Sequence, residues 1–201
     1  MNKVVLFLHG YGANGDDLIS LKDHIDNDDN AILFESPNAP EPCPLNYFGY
    51  QWFSLVERTP EEIYSGLKTS YKYLDKILND LIAKYNTSYK NIVLIGFSQG
   101  AMLSSYYGLT SQVEMGGIIS LSGALPKNIL DDISLLNLSQ KFSIFHGKSD
   151  SVVPYERSQQ LFDFLVSKKI NSNLILEENC DHEISIKAID EINKKVKNWL
   201  K

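Results

Sequence analysis

Most of six short runs along the chain are apolar throughout: residues 4–8, 31–35, 91–96, 117–121, 142–146 and 174–176. A strand with one wet face alternates apolar and polar positions. Continuous runs of this length instead predict strands buried on both faces of a mostly parallel sheet. Helix signals lie between them. Thr59-Pro60-Glu61-Glu62 supplies an N-cap, a proline at the first helical position and a glutamate at the capping-box position. Ile63, Leu67, Tyr71, Leu74, Leu78, Leu81, Ile82 and Tyr85 then trace one helical face. Residues 101–109 read as a further helix, Leu161, Phe162 and Leu165 mark another, and Ile189, Ile192, Val196 and Trp199 mark the last. Strands alternating with helices predict an α/β fold, a central sheet covered by helices on both faces, formed by residues 1–201 as one domain.

Residues 36–58 break the alternation with four prolines and five aromatics. The prolines argue against a central strand or a helix, and a long loop in a compact domain is usually functional. It is the candidate wall of a substrate site, with Trp52 and Phe53 as candidate acyl contacts.

Composition narrows the function classes. A chain of 201 residues with 43% hydrophobic and 22% charged residues can bury a core without staples. No apolar run approaches the roughly 20 residues of a membrane span, so integral membrane association is not expected. Residues 4–8 are too short for a signal-peptide core of about 7–15 residues. Cytoplasmic residence is therefore expected, with Cys43 and Cys180 as free thiols. The net charge is −6, from 19 basic and 25 acidic residues, and no basic stripe is present; nucleic acid is not an expected partner.

Gly96-Phe97-Ser98-Gln99-Gly100 matches G-x-S-x-G. A chain of this size shows such a match by chance roughly once in twenty. The setting adds weight, because the motif follows an apolar strand and opens a helix. There a serine sits on a strained elbow with its hydroxyl exposed. Acid and base should follow in the order Ser, Asp or Glu, His. Two histidines lie beyond Ser98. His146 falls inside a strand, where a structural role is expected. His182 falls in a loop before the last helix and can reach the serine. Asp150, after the fifth run, is the expected acid, because that acid should lie at a separate strand end. Asp181 is the competitor, and a solvated role is expected for it. The glycine-rich turn Leu8-His9-Gly10-Tyr11-Gly12 can aim a backbone N–H at a developing oxyanion, and the N–H of Gln99 would be the second donor.

The same turn supports a rival. Gly10, Gly12 and Gly15 form a literal G-x-G-x-x-G between a strand and a helix, with Glu35 twenty residues on. This is the fingerprint of a dinucleotide-binding α/β protein. A catalytically inactive hydrolase-fold binding module is the other alternative. The acidic stretch 26–30 fails as a calcium loop, since Ala31 stands where glycine and Pro37 where glutamate is required. No zinc spacing of cysteines and histidines is present.

The chain resembles the carboxylesterase/phospholipase family of α/β-hydrolases that includes the acyl-protein thioesterases. The resemblance rests on Leu8-His9-Gly10, Gln51-Trp52-Phe53, Gly96-Phe97-Ser98-Gln99-Gly100-Ala101, Leu121-Ser122-Gly123-Ala124-Leu125-Pro126, His146-Gly147 through Asp150 to Pro154, and Asp181-His182. It implies an α/β-hydrolase fold and a serine esterase or thioesterase. Ser98 is then the nucleophile, Asp150 and His182 its partners, and the N–H groups of Tyr11 and Gln99 the oxyanion hole, with no cofactor or metal. Expected substrates are small-molecule or lipid acyl esters and thioesters, including acyl groups carried on proteins. Two departures stand out. The family usually carries a segment before the first strand, so the sheet is expected to be short at its N-terminal edge. Ser54 stands where the family usually has aspartate after its tryptophan-aromatic pair, which bears on substrate preference and not on the triad.

Overall fold

The first apolar run forms β1 (Lys3–Leu8). The elements that follow are α1 (Gly15–Ile19), β2 (Ile32–Glu35), β3 (Glu41–Cys43), β4 (Asn46–Gln51), α2 (Pro60–Tyr85) and β5 (Ile92–Phe97). Then come α3 (Gln99–Thr110), β6 (Gly117–Leu121), α4 (Lys127–Asp132), β7 (Lys141–Gly147), α5 (Glu156–Ser167), β8 (Asn171–Glu177) and α6 (Ile186–Trp199). This computed structural model describes residues 1–25, 32–123, 125–133 and 137–201. Ala31 and the acidic stretch 26–30 lie outside the described residues.

Six strands make one parallel sheet in the order β2-β1-β5-β6-β7-β8. Successive side chains of β1 divide between two cores. Val4, Leu6 and Leu8 pack with Leu67, Leu74 and Leu78 of α2, Leu103 of α3 and Leu161 of α5. Val5 and Phe7 pack with Leu18 of α1 and Ala188, Ile192 and Val196 of α6. Both faces are dry, which is why the run shows no alternation. Because every strand points the same way, all their C-terminal ends open onto one edge of the sheet, where ligands bind in folds of this kind.

α2 begins as its cap signal predicts. Thr59 Oγ1 accepts from the N–H of Glu62, 3.1 Å away. The reciprocal half of the capping box is displaced upstream. Glu62 accepts from the N–H groups of Val56, Glu57 and Arg58 and from Ser54 Oγ, so one carboxylate gathers the whole turn before the helix.

Residues 36–58 are not loop alone. β3 and β4 form a separate antiparallel ribbon. Pro42 is tolerated because a two-stranded ribbon is all edge, and the register shifts beside it. The ribbon is tied to the turn after β1. Gly12 N–H donates to the Tyr50 carbonyl and Tyr50 N–H to the Ala13 carbonyl, at 2.9 and 2.8 Å. A Cβ on Gly49 would stand 2.0 Å from the carbonyl oxygen of Gly12, so only glycine permits the approach.

Candidate active site

β5 delivers Ser98 to the sheet edge, and α3 starts at the next residue. The turn is sharp enough to force Ser98 to φ 52°, ψ −113°, a conformation that costs a non-glycine residue about 1–3 kcal/mol. The flanking glycines are steric necessities. A Cβ on Gly96 would lie 2.3 Å from the Gly100 carbonyl oxygen, and one on Gly100 would lie 2.0 Å from that of Leu8.

His182 and Asp150 arrive from two other strand ends. Ser98 Oγ lies 3.0 Å from His182 Nε2, and His182 Nδ1 lies 2.7 Å from Asp150 Oδ2. With the Nδ1 proton donated to the carboxylate, Nε2 is free to accept the serine proton. The Phe97 ring packs on the imidazole with centroids 4.9 Å apart. The Asp150 side chain is fully shielded from solvent. Its Oδ1 accepts from the N–H groups of Val152 and Val153. Its Oδ2 also lies 3.0 Å from His146 Nε2.

His146 is buried, and burial holds its pKa below the ordinary imidazole value. The neutral ring carries one proton, which belongs on Nε2, between Asp150 and the Val153 carbonyl, while Nδ1 faces Ser158 Oγ. The strand histidine is therefore structural, as expected, and it also braces Asp150, which the sequence did not reveal. Asp181 faces solvent and accepts from Ser151 N–H, Ser151 Oγ and the N–H of His182. These bonds hold its carboxyl pKa below the usual range. It joins two loops and does not touch the imidazole side of the site.

The turn after β1 abuts Ser98, since a Cβ on Gly10 would meet Ser98 Cβ at 3.4 Å. Among the described residues, the N–H groups of Tyr11 and Gln99 have no hydrogen-bond partner. Tyr11, Ser98, Gln99 and His182 all line a cavity of about 480 Å³. Leu55, Ile63, Met102, Val152 and Val153 give it apolar walls, and Arg58, Lys127 and Arg157 also line it.

Trp52 and Phe53 correct the sequence-based expectation. Neither lines the cavity; they are 1% and 2% exposed and lie in the core beneath it. Trp52 Nε1 donates to the His9 carbonyl, and its N–H donates to Gln99 Oε1. Gln99 Nε2 in turn donates to the Phe53 carbonyl. Gln99, the residue after Ser98, thus clamps the aromatic loop under this turn. Of that loop, Leu55 and Arg58 reach the cavity. Ser54, at the position where the resembling family has aspartate, spends its hydroxyl on Glu62.

The dinucleotide reading is not favoured. Its phosphate would need free N–H groups at the start of α1, but Gly15 N–H donates to Asn38 Oδ1 and Asp16 N–H to Asn14 Oδ1. The β3–β4 ribbon covers the same turn. Glu35, the supposed ribose anchor, is engaged by Lys84 and Tyr85.

A serine on a strained strand–helix elbow, linked through histidine to a shielded aspartate at the C-terminal edge of a parallel sheet, defines an α/β-hydrolase. The chain belongs to the phospholipase/carboxylesterase family, whose model matches residues 1–200. It is 30% identical over 204 residues to acyl-protein thioesterase 1 homolog 1 of Dictyostelium discoideum, covering 98% of this chain and 90% of that one. The crystal structure of esterase PE8 superposes with a TM-score of 0.89 at 32% identity, covering 99% of this chain and 93% of the other. A Bacillus cereus carboxylesterase shares the fold, with a TM-score of 0.82 at 22% identity over 98% and 89% of the two chains. The protein is a hydrolase acting on esters or thioesters, and the alternative of an inactive binding module is not favoured.

Proposed function

We propose that hydrolysis runs through an acyl-enzyme on Ser98. The observation that carries this reading is the unbroken chain Ser98 Oγ–His182–Asp150, with links of 3.0 and 2.7 Å. His182 Nε2 takes the hydroxyl proton as Oγ attacks the acyl carbonyl, and Asp150 stabilises the imidazolium that forms. The N–H groups of Tyr11 and Gln99 hold the oxyanion, each worth roughly 3–4 kcal/mol at the transition state. His182 then protonates the departing alcohol or thiol, and water repeats the attack. Every proton transfer is assigned to this chain's own residues, so the cycle calls for no metal or organic cofactor.

The apolar cavity walls suit an acyl chain. Lipid esters, small esters and acyl groups carried on proteins all offer one, and the Dictyostelium relative's name supports the last. Among the described residues, no helix is long and apolar enough to cross a membrane. Cys43 and Cys180 are both buried free thiols, which supports a reducing compartment, the cytoplasm. We read residues 1–201 as one catalytic domain.

Ser98→Ala is expected to fold and to lose ester hydrolysis by a factor on the order of 10⁴–10⁶. A fluorophosphonate probe is expected to label Ser98 in the unaltered protein. Labelling of another serine, or an alanine variant that keeps most of its rate, overturns the assignment.

A further inference from the structure

The cavity is charged against the trend of the molecule. The chain carries 25 acidic and 19 basic residues. Yet among the described residues those lining the cavity include Arg58, Lys127 and Arg157 and no aspartate or glutamate. The three cations come from separate elements: Arg58 from the turn before α2, Lys127 from the start of α4, and Arg157 from the first turn of α5. None forms an ion pair with a carboxylate among the described residues. The acids close to them in sequence, Glu57, Glu61, Glu62, Asp131, Asp132 and Glu156, do not line the cavity. Glu62 accepts from Ser54 and three backbone N–H groups.

Three cations around one concave apolar site focus a positive potential on whatever enters it. A neutral acyl ester gains nothing from that field. An ester with an anionic group gains both in encounter rate and in holding the scissile bond near Ser98.

We propose that the substrates of this site are esters or thioesters that also carry an anionic group, a carboxylate or a phosphate, held by Arg58, Lys127 and Arg157. The inference rests on the reading of Ser98 as the nucleophile. It names a substrate charge that the triad itself does not specify.

Two matched pairs test it and tell the two anions apart. The first is S-succinyl against S-butyryl N-acetylcysteamine, which places a carboxylate at the end of the acyl chain. The second is 1-butyryl glycerol 3-phosphate against 1-butyryl glycerol, which places a phosphate on the leaving group. At low ionic strength the charged member of at least one pair is expected to show kcat/KM about tenfold or more above its neutral partner. That ratio should fall towards one in the double variant Arg58→Gln/Arg157→Gln, and also as added salt shortens the screening length. A ratio near or below one in both pairs, or a preference that survives the double variant, overturns the charge proposal and leaves Ser98 in place. Rejection of all four compounds by a protein whose Ser98 still takes the fluorophosphonate likewise overturns the charge proposal alone. Rejection of all four with no labelling of Ser98 overturns the nucleophile as well.

Discussion

Asp150 accepts three hydrogen bonds, and every one comes from an N–H: Val152 and Val153 on Oδ1 and His182 on Oδ2, with His146 Nε2 also 3.0 Å from Oδ2. An asparagine in its place has one acceptor and one NH₂. Whichever way the amide is turned, its NH₂ faces donors. Asp150→Asn is therefore expected to lose about 10⁴-fold in turnover near neutral pH, the size of effect known for this change in another triad enzyme. Asp181 also accepts three bonds, but through Oδ1 alone, and an asparagine keeps that oxygen. Asp181→Asn is expected to cost less than about tenfold, as befits a solvent-facing carboxylate. Steady-state kinetics on one ester for both variants decides the matter. A crippled Asp181→Asn beside an active Asp150→Asn reverses the assignment.

At the scale of elements, the segment 36–58 carries the main difference between expectation and structure. Trp52 is fully enclosed and makes two hydrogen bonds to the active-site turns, so it acts as a keystone under the cavity. Trp52→Ala is expected to destabilise the fold by about 3–5 kcal/mol. Thermal unfolding should show the loss, while the preference among acyl chain lengths stays flat. A shifted chain-length profile at unchanged stability would restore the acyl-contact role. The central strands were legible because both faces are dry and their side chains had to be apolar throughout. The α2 cap was legible because its bonds are local. The β3–β4 ribbon was not, since its prolines forbid only a place inside a sheet. The convergence of Ser98, His182 and Asp150 could be anticipated because strand-end position and chain order constrain it. The cationic lining could not, because Arg58, Lys127 and Arg157 come from three separate elements and each looks alone like an ordinary solvated side chain.

For the whole molecule, the two tryptophans report on opposite layers. Trp52 belongs to the core on the α2 and α3 side of the sheet, and Trp199 packs on the α1 and α6 side. Trp199 is pressed against the central strand β6, for a Cβ on Gly117 would stand 2.0 Å from its ring. The triad draws on β5, β7 and β8 together, so it needs both layers in place. After dilution from denaturant, ester hydrolysis is expected to return no earlier than the slower of the two tryptophan signals, followed in Trp52→Phe and Trp199→Phe variants. Activity ahead of either signal would mean that the site assembles on a partly built sheet.

The separation between the proposed nucleophile and its base also sets a clock in the living cell. Ser98 and His182 are 84 residues apart. At the ribosome's pace of about 5–20 residues per second, roughly 4–17 s pass between synthesis of the serine and synthesis of its base. Throughout that interval the nascent chain displays a serine with no partner to activate it. An enzyme that cleaves acyl groups is thus born inert, and its first turnover announces that the carboxyl-terminal part of the chain has been made and put in place.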